Sequence, residues 1–154
     1  MLRVISHIAA ARATGVPFDH VVLAHDQRRL RRKLLILAGG TEVLVDFPAA
    51  ITLGHRDRLE LEDGRTVEII AADEALIAVR ARDPAHLARL AWHLGNRHLP
   101  AQIEADRILI RKDHVIRAML EGLGAALSDV VEPFAPEYGA YHDHGDHHHA
   151  LLNR

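Results

Sequence analysis

The chain reads as an α+β protein in three parts: a small all-β domain over residues 1–73, a βαββαβ domain over 74–141, and a flexible histidine-rich tail over 142–154. Three observations predict this. Up to residue 73 the apolar residues come in short runs broken by turn-forming Gly, Pro and Asp-Gly. Beyond it, two stretches switch to helical spacing, each opened by an aspartate and closed by a glycine. The tail carries five histidines and too little apolar content to fold alone.

Each element follows from local chemistry. Leu2 to Ile8 is a first strand, and Val21 to Ala24 a second after the turn-like Gly15-Val16-Pro17. Leu34 to Leu37 and Val43 to Val45 flank Gly39-Gly40-Thr41, a loop able to take positive φ and close a hairpin. Arg58 to Leu61 and Thr66 to Ile70 flank Asp63-Gly64, the strongest hairpin signal in the chain. Short strands with such turns suggest a small sandwich or barrel. Ala75 to Val79 is then a strand. Asp83 is placed to N-cap a helix with Pro84 at its first position, and Leu87, Leu90, Ala91 and Leu94 form its buried face, with Gly95 as the stop. Gln102 to Glu104 and Ile108 to Ile110 are two strands about a tight turn. Asp113 caps a second helix, whose apolar face is Val115, Ile116, Met119, Leu120 and Leu123 and whose stop is Gly124. Leu127 to Val131 is a last strand. The order β-α-β-β-α-β is the ferredoxin-like arrangement, a four-stranded antiparallel sheet with both helices on one face.

Composition narrows the function. The chain has 154 residues and is 49% hydrophobic but only 4% aromatic, so its core is aliphatic. Nineteen basic and 21 acidic side chains give a net charge of -2, leaving no global field for nucleic acid. Cysteine is absent, which removes disulfides, thiolate metal sites and thiol nucleophiles together. No apolar run approaches the ~20 residues needed to span a bilayer, and the first residues lack a signal-peptide core, so a soluble cytoplasmic protein is expected.

Histidine carries the remaining chemistry. His142, His144, His147, His148 and His149 crowd into eight residues with Asp143 and Asp146 as optional oxygen donors. Imidazole binds Ni(II), Cu(II) and Zn(II) at neutral pH, and close spacing raises the local ligand concentration. The competing reading is a solvated polar tail or an expression tag. Interruption by Asp and Gly, and the following Ala150-Leu151-Leu152-Asn153-Arg154, disfavour a tag.

His98 follows Gly95-Asn96-Arg97 in a turn between helix and strand; a lone histidine there is ordinarily structural, bonded to the last carbonyls. A two-fold axis would double it into two imidazoles from one residue type. His93 lies five residues earlier, about 140° around a helix, and so points elsewhere. His86 and His93 share a side, more often solvent-exposed than coordinating. His114 opens the second helix, where ligation and a plain surface role weigh evenly. The run Arg28-Arg29-Leu30-Arg31-Arg32-Lys33 lacks interleaved aromatics and reads as a solvated strand edge or loop, and such edges also oppose strand-to-strand aggregation. Gly39-Gly40 lacks the spacing and lysine of a phosphate loop.

Trp92-His93-Leu94-Gly95-Asn96-Arg97-His98-Leu99-Pro100, then Gln102-Ile103, Asp113-His114-Val115 and the histidine-rich end closely resemble the urease accessory protein UreE family over the whole chain. The resemblance implies a partner- and urease-binding N-terminal β domain. It also implies a ferredoxin-like domain that binds metal and forms the homodimer. The implied role is a non-enzymatic nickel chaperone that delivers Ni(II) to the urease apoprotein complex with its accessory GTPase and other maturation proteins. On this resemblance His98 is the paired ligand at the dimer axis, His142 and His144 are tail ligands, and His147 to His149 extend the supply. Some members have a His-x-His pair before the second helix. Lys112-Asp113-His114 stands there, so no separate strong site is expected. His93 matches a histidine common in the motif.

The expected role is thus a metallochaperone with Ni(II) as cargo and Cu(II) or Zn(II) as possible competitors, binding neither nucleic acid nor membrane. The rival binding module is a histidine-rich divalent-metal store or buffer with no delivery role. The rival enzyme is a metal-dependent hydrolase, against which a mobile ligand set argues.

Overall fold

The structure, a computed structural model, describes residues 1–137, so the expected tail histidines lie outside the described residues. The chain divides into two compact units that meet between Asp73 and Glu74.

The first unit contains β1 (Leu2–Ile8), β2 (Asp19–Leu23), β3 (Arg29–Ile36), β4 (Glu42–Thr52), β5 (Arg58–Leu61) and β6 (Thr66–Ala71). They form one six-stranded sheet in the order β2-β6-β5-β1-β4-β3. The pairs β1/β4 and β2/β6 are parallel, while β3/β4, β1/β5 and β5/β6 are antiparallel. The hairpin expected at Asp63-Gly64 is the β5–β6 turn, with Gly64 at φ 89°. Strand alternation puts Val43, Val45, Leu59, Leu61, Val67 and Ile69 into one core with no exposed surface. Gly39 N donates to Asp19 Oδ2 at 2.8 Å and Ala38 N to the His20 carbonyl at 2.9 Å. These bonds draw the β3–β4 turn to β2, so the sheet rolls back on itself around that core. The His20 and Gly39 amides also hold the Asp19 carboxyl below the ordinary carboxylate range.

β3 and β4 extend furthest beyond their expected limits. β3 starts at Arg29, so most of the basic run is strand. Arg28 before it is buried, donating to the carbonyls of Leu23 at 3.0 Å and Leu53 at 3.2 Å. β4 runs for eleven residues through Pro48. Its register with β3 jumps, Arg32 facing Asp46 while Leu30 faces Ile51. The surplus residues form a bulge, where a proline without N–H is tolerated.

The second unit contains β7 (Asp73–Arg80), α1 (Pro84–Asn96), β8 (Gln102–Ile103), β9 (Arg107–Arg111), α2 (His114–Gly122) and β10 (Ala126–Pro133). The sheet order β10-β7-β9-β8 is that of the expected βαββαβ arrangement. Ile77, Val79, Ile108 and Ile110 pack against Leu90 and Leu94 of α1 and Ile116 and Leu120 of α2. Alternate residues Leu76, Ala78 and Leu109 form a second cluster with Phe134, which is fully buried. Ala135 N then donates to Gln102 Oε1 at 2.9 Å, and Glu137 N to the Ala101 carbonyl at 2.7 Å. The segment after β10 therefore straps across the sheet from the β10 edge to the β8 edge.

One expected surface residue is interior. His86 is 3% exposed; its Nδ1 accepts from Arg82 N at 3.2 Å, and its Nε2 lies 2.7 Å from the Leu123 carbonyl, to which it donates. It ties the start of α1 to the end of α2, which spacing along α1 alone does not reveal. No helix among the described residues is long and apolar enough to cross a membrane.

Candidate metal centre

The site is built at the end of α1. That helix starts as expected: Pro84 occupies its first turn, and the Asp83 carboxylate accepts from His86 N at 2.7 Å. Its end differs from expectation. Gly95 is an interior residue, Asn96 closes the helix and Arg97 is the C-cap. The left-handed residue is His98, at φ 58°.

His98 N donates to the Gly95 carbonyl at 3.0 Å, and Leu99 N to the Leu94 carbonyl at 3.4 Å. This is the Schellman pattern, with Leu99 brought back toward Leu94 in the apolar cluster. α2 ends in the same pattern, Gly124 N bonding to the Glu121 carbonyl and Ala125 N to the Leu120 carbonyl, both at 3.0 Å. There the left-handed residue is Gly124, at φ 83°. The first helix thus has a histidine where the second has the residue that chemistry prefers. A β-carbon in this region costs roughly 1–2 kcal/mol. The His98 side chain is exposed, so burial does not compensate for that strain. Strain held at an exposed imidazole points to a role outside stability.

Beside His98 lies a hollow of about 300 Å³, lined by Ala91, Gly95, Leu99, Ala101 and Ile103 together with His98 and Glu137. Trp92, 64% exposed, and Ile103, 50% exposed, leave apolar surface uncovered nearby in the sequence and the fold. Glu137 closes the strap against Ala101, so the chain leaves the described residues from the hollow that His98 lines.

The other sequence candidates are not gathered here. His93 is half-buried in the last turn of α1, its ring edge-on to Trp92 at 5.0 Å. His114 is exposed at the first position of α2, whose N-cap Asp113 accepts from Val115 N at 2.9 Å and Ile116 N at 3.1 Å. His142, His144, His147, His148 and His149 fall outside the described residues. Among the described residues no three His, Asp or Glu side chains converge as a metal cage. Sequence reasoning did not single out Glu137. Its signal was faint, a lone carboxylate after Pro136.

Two domain models cover the chain: the UreE urease accessory protein N-terminal domain matches residues 1–72, and the C-terminal domain matches residues 74–153. A urease accessory protein UreE of Agrobacterium fabrum is 56% identical over 149 residues, 97% of this chain and 92% of the relative. One from Mesorhizobium japonicum is 59% identical over 140 residues, 90% of this chain and 71% of the relative. A third, from Brucella anthropi, is 58% identical over 135 residues, 88% and 78% of the two chains. With both halves matched, the chain belongs to the UreE family of urease accessory proteins, a family of accessory chaperones and not of enzymes.

Proposed function

We propose that the protein is a homodimeric nickel chaperone for urease assembly, with His98 of each subunit holding Ni(II) across a two-fold axis and the histidines after residue 141 supplying it. One observation carries the reading: a conformationally strained, exposed imidazole shares its hollow with Glu137, from which the histidine-rich segment departs. His142 is five residues beyond Glu137, a reach of at most about 17 Å in extended chain, so tail imidazoles can meet an ion held at His98.

The described residues of one subunit supply a single exposed imidazole at this hollow, too few donors for tight retention, which suits an ion that must leave again. Tail imidazoles capture the ion, the His98 pair holds it, and the urease complex with its accessory GTPase removes it with competing ligands. Among the described residues His114 and His93 have no such neighbour, and they are auxiliary at most. The β unit of residues 1–73 is the part that meets those partners.

Native mass spectrometry with limiting nickel tests this. The full chain should be a dimer that binds several ions. Deleting residues 142–154 should leave about one ion per dimer, and His98→Ala in that form should remove it while the dimer persists. Loss of all nickel on tail deletion would reduce the protein to a buffer. Retention of the ion by His98→Ala would exclude the site.

A further inference from the structure

The basic run is not used by the reading above, and the strand it forms is conspicuous for its edge. β3 is a terminal strand of the six-stranded sheet, and from Leu30 to Ile36 its backbone bonds only to β4 among the described residues. Its outer side therefore offers unpaired N–H and C=O groups as far as Ile36, short of Ala38, whose N donates to the His20 carbonyl of β2. The other three sheet edges are less available. β8 has two residues and β2 five. β10 ends in Pro133, and its Asp129 and Glu132 are engaged by Arg117 and Arg107.

The side chains of β3 define what could pair with it. The Arg31 and Arg32 side chains are 54% and 63% exposed and share one carboxylate, Asp46, at 3.8 and 3.5 Å. Lys33 is exposed and makes no ion pair among the described residues. It lies opposite Val45, whose side chain is in the core, so Lys33 sits on the core-facing side of an edge strand. On the outward side Leu34 faces Leu44, and Ile36 follows with 63% of its surface exposed. A second copy of β3 would set cations against cations. A neutral strand would leave Lys33 without a counter-ion, the usual defence against edge pairing. An acidic strand meets neither obstacle, so the same charges that reject most strands select one class.

We propose that the free edge of β3 docks, by antiparallel strand addition, an extended segment of another protein in which acidic residues adjoin two alternating apolar ones. The acids fall opposite Arg31, Arg32 and Lys33, and the apolar residues beside Leu34 and Ile36. Main-chain bonds supply attraction, and this side-chain order supplies choice.

The probe is a fluorescein-labelled octapeptide, Ser-Val-Thr-Val-Glu-Asp-Glu-Ser, titrated with the full-length protein by fluorescence anisotropy, with amide NMR spectra to locate it. Saturable binding is expected, weakening with salt and shifting the resonances of β3. The double variant Arg32→Glu and Lys33→Glu, surface changes that leave the core intact, should lose at least about tenfold in affinity. It should gain affinity for the same peptide with lysines in place of the acids. Equal affinity of the variant for both peptides, shifts confined to another edge, or no binding at millimolar peptide would overturn the proposal. So would displacement of the peptide by a single-stranded RNA 20-mer bound more tightly at the same residues.

Discussion

Replacing His98 by glycine separates a ligand from a structural residue, because the two roles predict opposite signs. The backbone at His98 lies at φ 58°, and at the matching position of α2 a glycine lies at φ 83°. Relief of the β-carbon clash is worth roughly 1–2 kcal/mol. Glycine gives back about 0.5–1 kcal/mol through its greater freedom in the unfolded chain. The imidazole is exposed, so little packing is lost. The balance is a gain of about 0.5–1 kcal/mol, which raises a thermal midpoint by roughly 2–8 °C for a cooperative unit of this size. Circular dichroism melts of the metal-free proteins would show it, with His98→Ala, which retains the β-carbon, close to the parent. Both variants should lose the nickel retained after tail deletion. A glycine variant less stable than the parent by more than about 0.5 kcal/mol would refute the reasoning, since the imidazole would then be holding the fold together.

Other outcomes follow from the same geometry. Gly124→Ala places a β-carbon at φ 83° and 3.0 Å from Arg82 Nη1, and should destabilise by about 1–2 kcal/mol in urea unfolding, the reverse of the His98 change. Asp83→Ala removes the cap on α1 and should cost about 1 kcal/mol in the same assay. Arg107 bonds both oxygens of Glu132 and holds its carboxyl below the usual range. That contribution is fully present above the ordinary carboxylate value of about 4.3 and is lost as pH falls through the lowered one, so Glu132→Gln should flatten the acid limb of stability against pH. Nickel retention by the form lacking residues 142–154 should fall as pH is lowered, because protons compete with the metal for imidazole nitrogen. A flat titration from pH 8 to 5 would exclude imidazole ligation.

The architecture was legible where one local rule dominated. Asp83-Pro84 and Asp113 marked both helix starts because capping is a short-range bond, and Asp63-Gly64 marked its hairpin because few residues accept positive φ. The end of α1 departs from the glycine-stop rule, because Gly95 lies within the helix and the left-handed residue is a histidine. The stop is fixed by the five-residue separation of Leu94 and Leu99, which must meet in the apolar cluster, and that spacing puts His98 and not Gly95 in the left-handed position. Leu120 and Ala125 repeat the spacing in α2, so the signal was in the sequence. β4 beyond Asp46 was not legible, since Pro48-Ala49-Ala50 reads as loop and only pairing across the sheet keeps it extended. His86 was misread because its partner, the Leu123 carbonyl, lies 37 residues away. The motif identified His98 as the residue of interest, while the hollow and Glu137 depend on the strap and needed three dimensions.

The strap fixes an origin. With Phe134 sealed beneath the sheet and Glu137 fastened to Ala101, whatever follows starts from one point beside the first helix. Residues added or removed further along leave that origin where it is. On the proposed function, a change in the histidine count of the terminus would then alter how many ions are offered without moving the place from which they are offered.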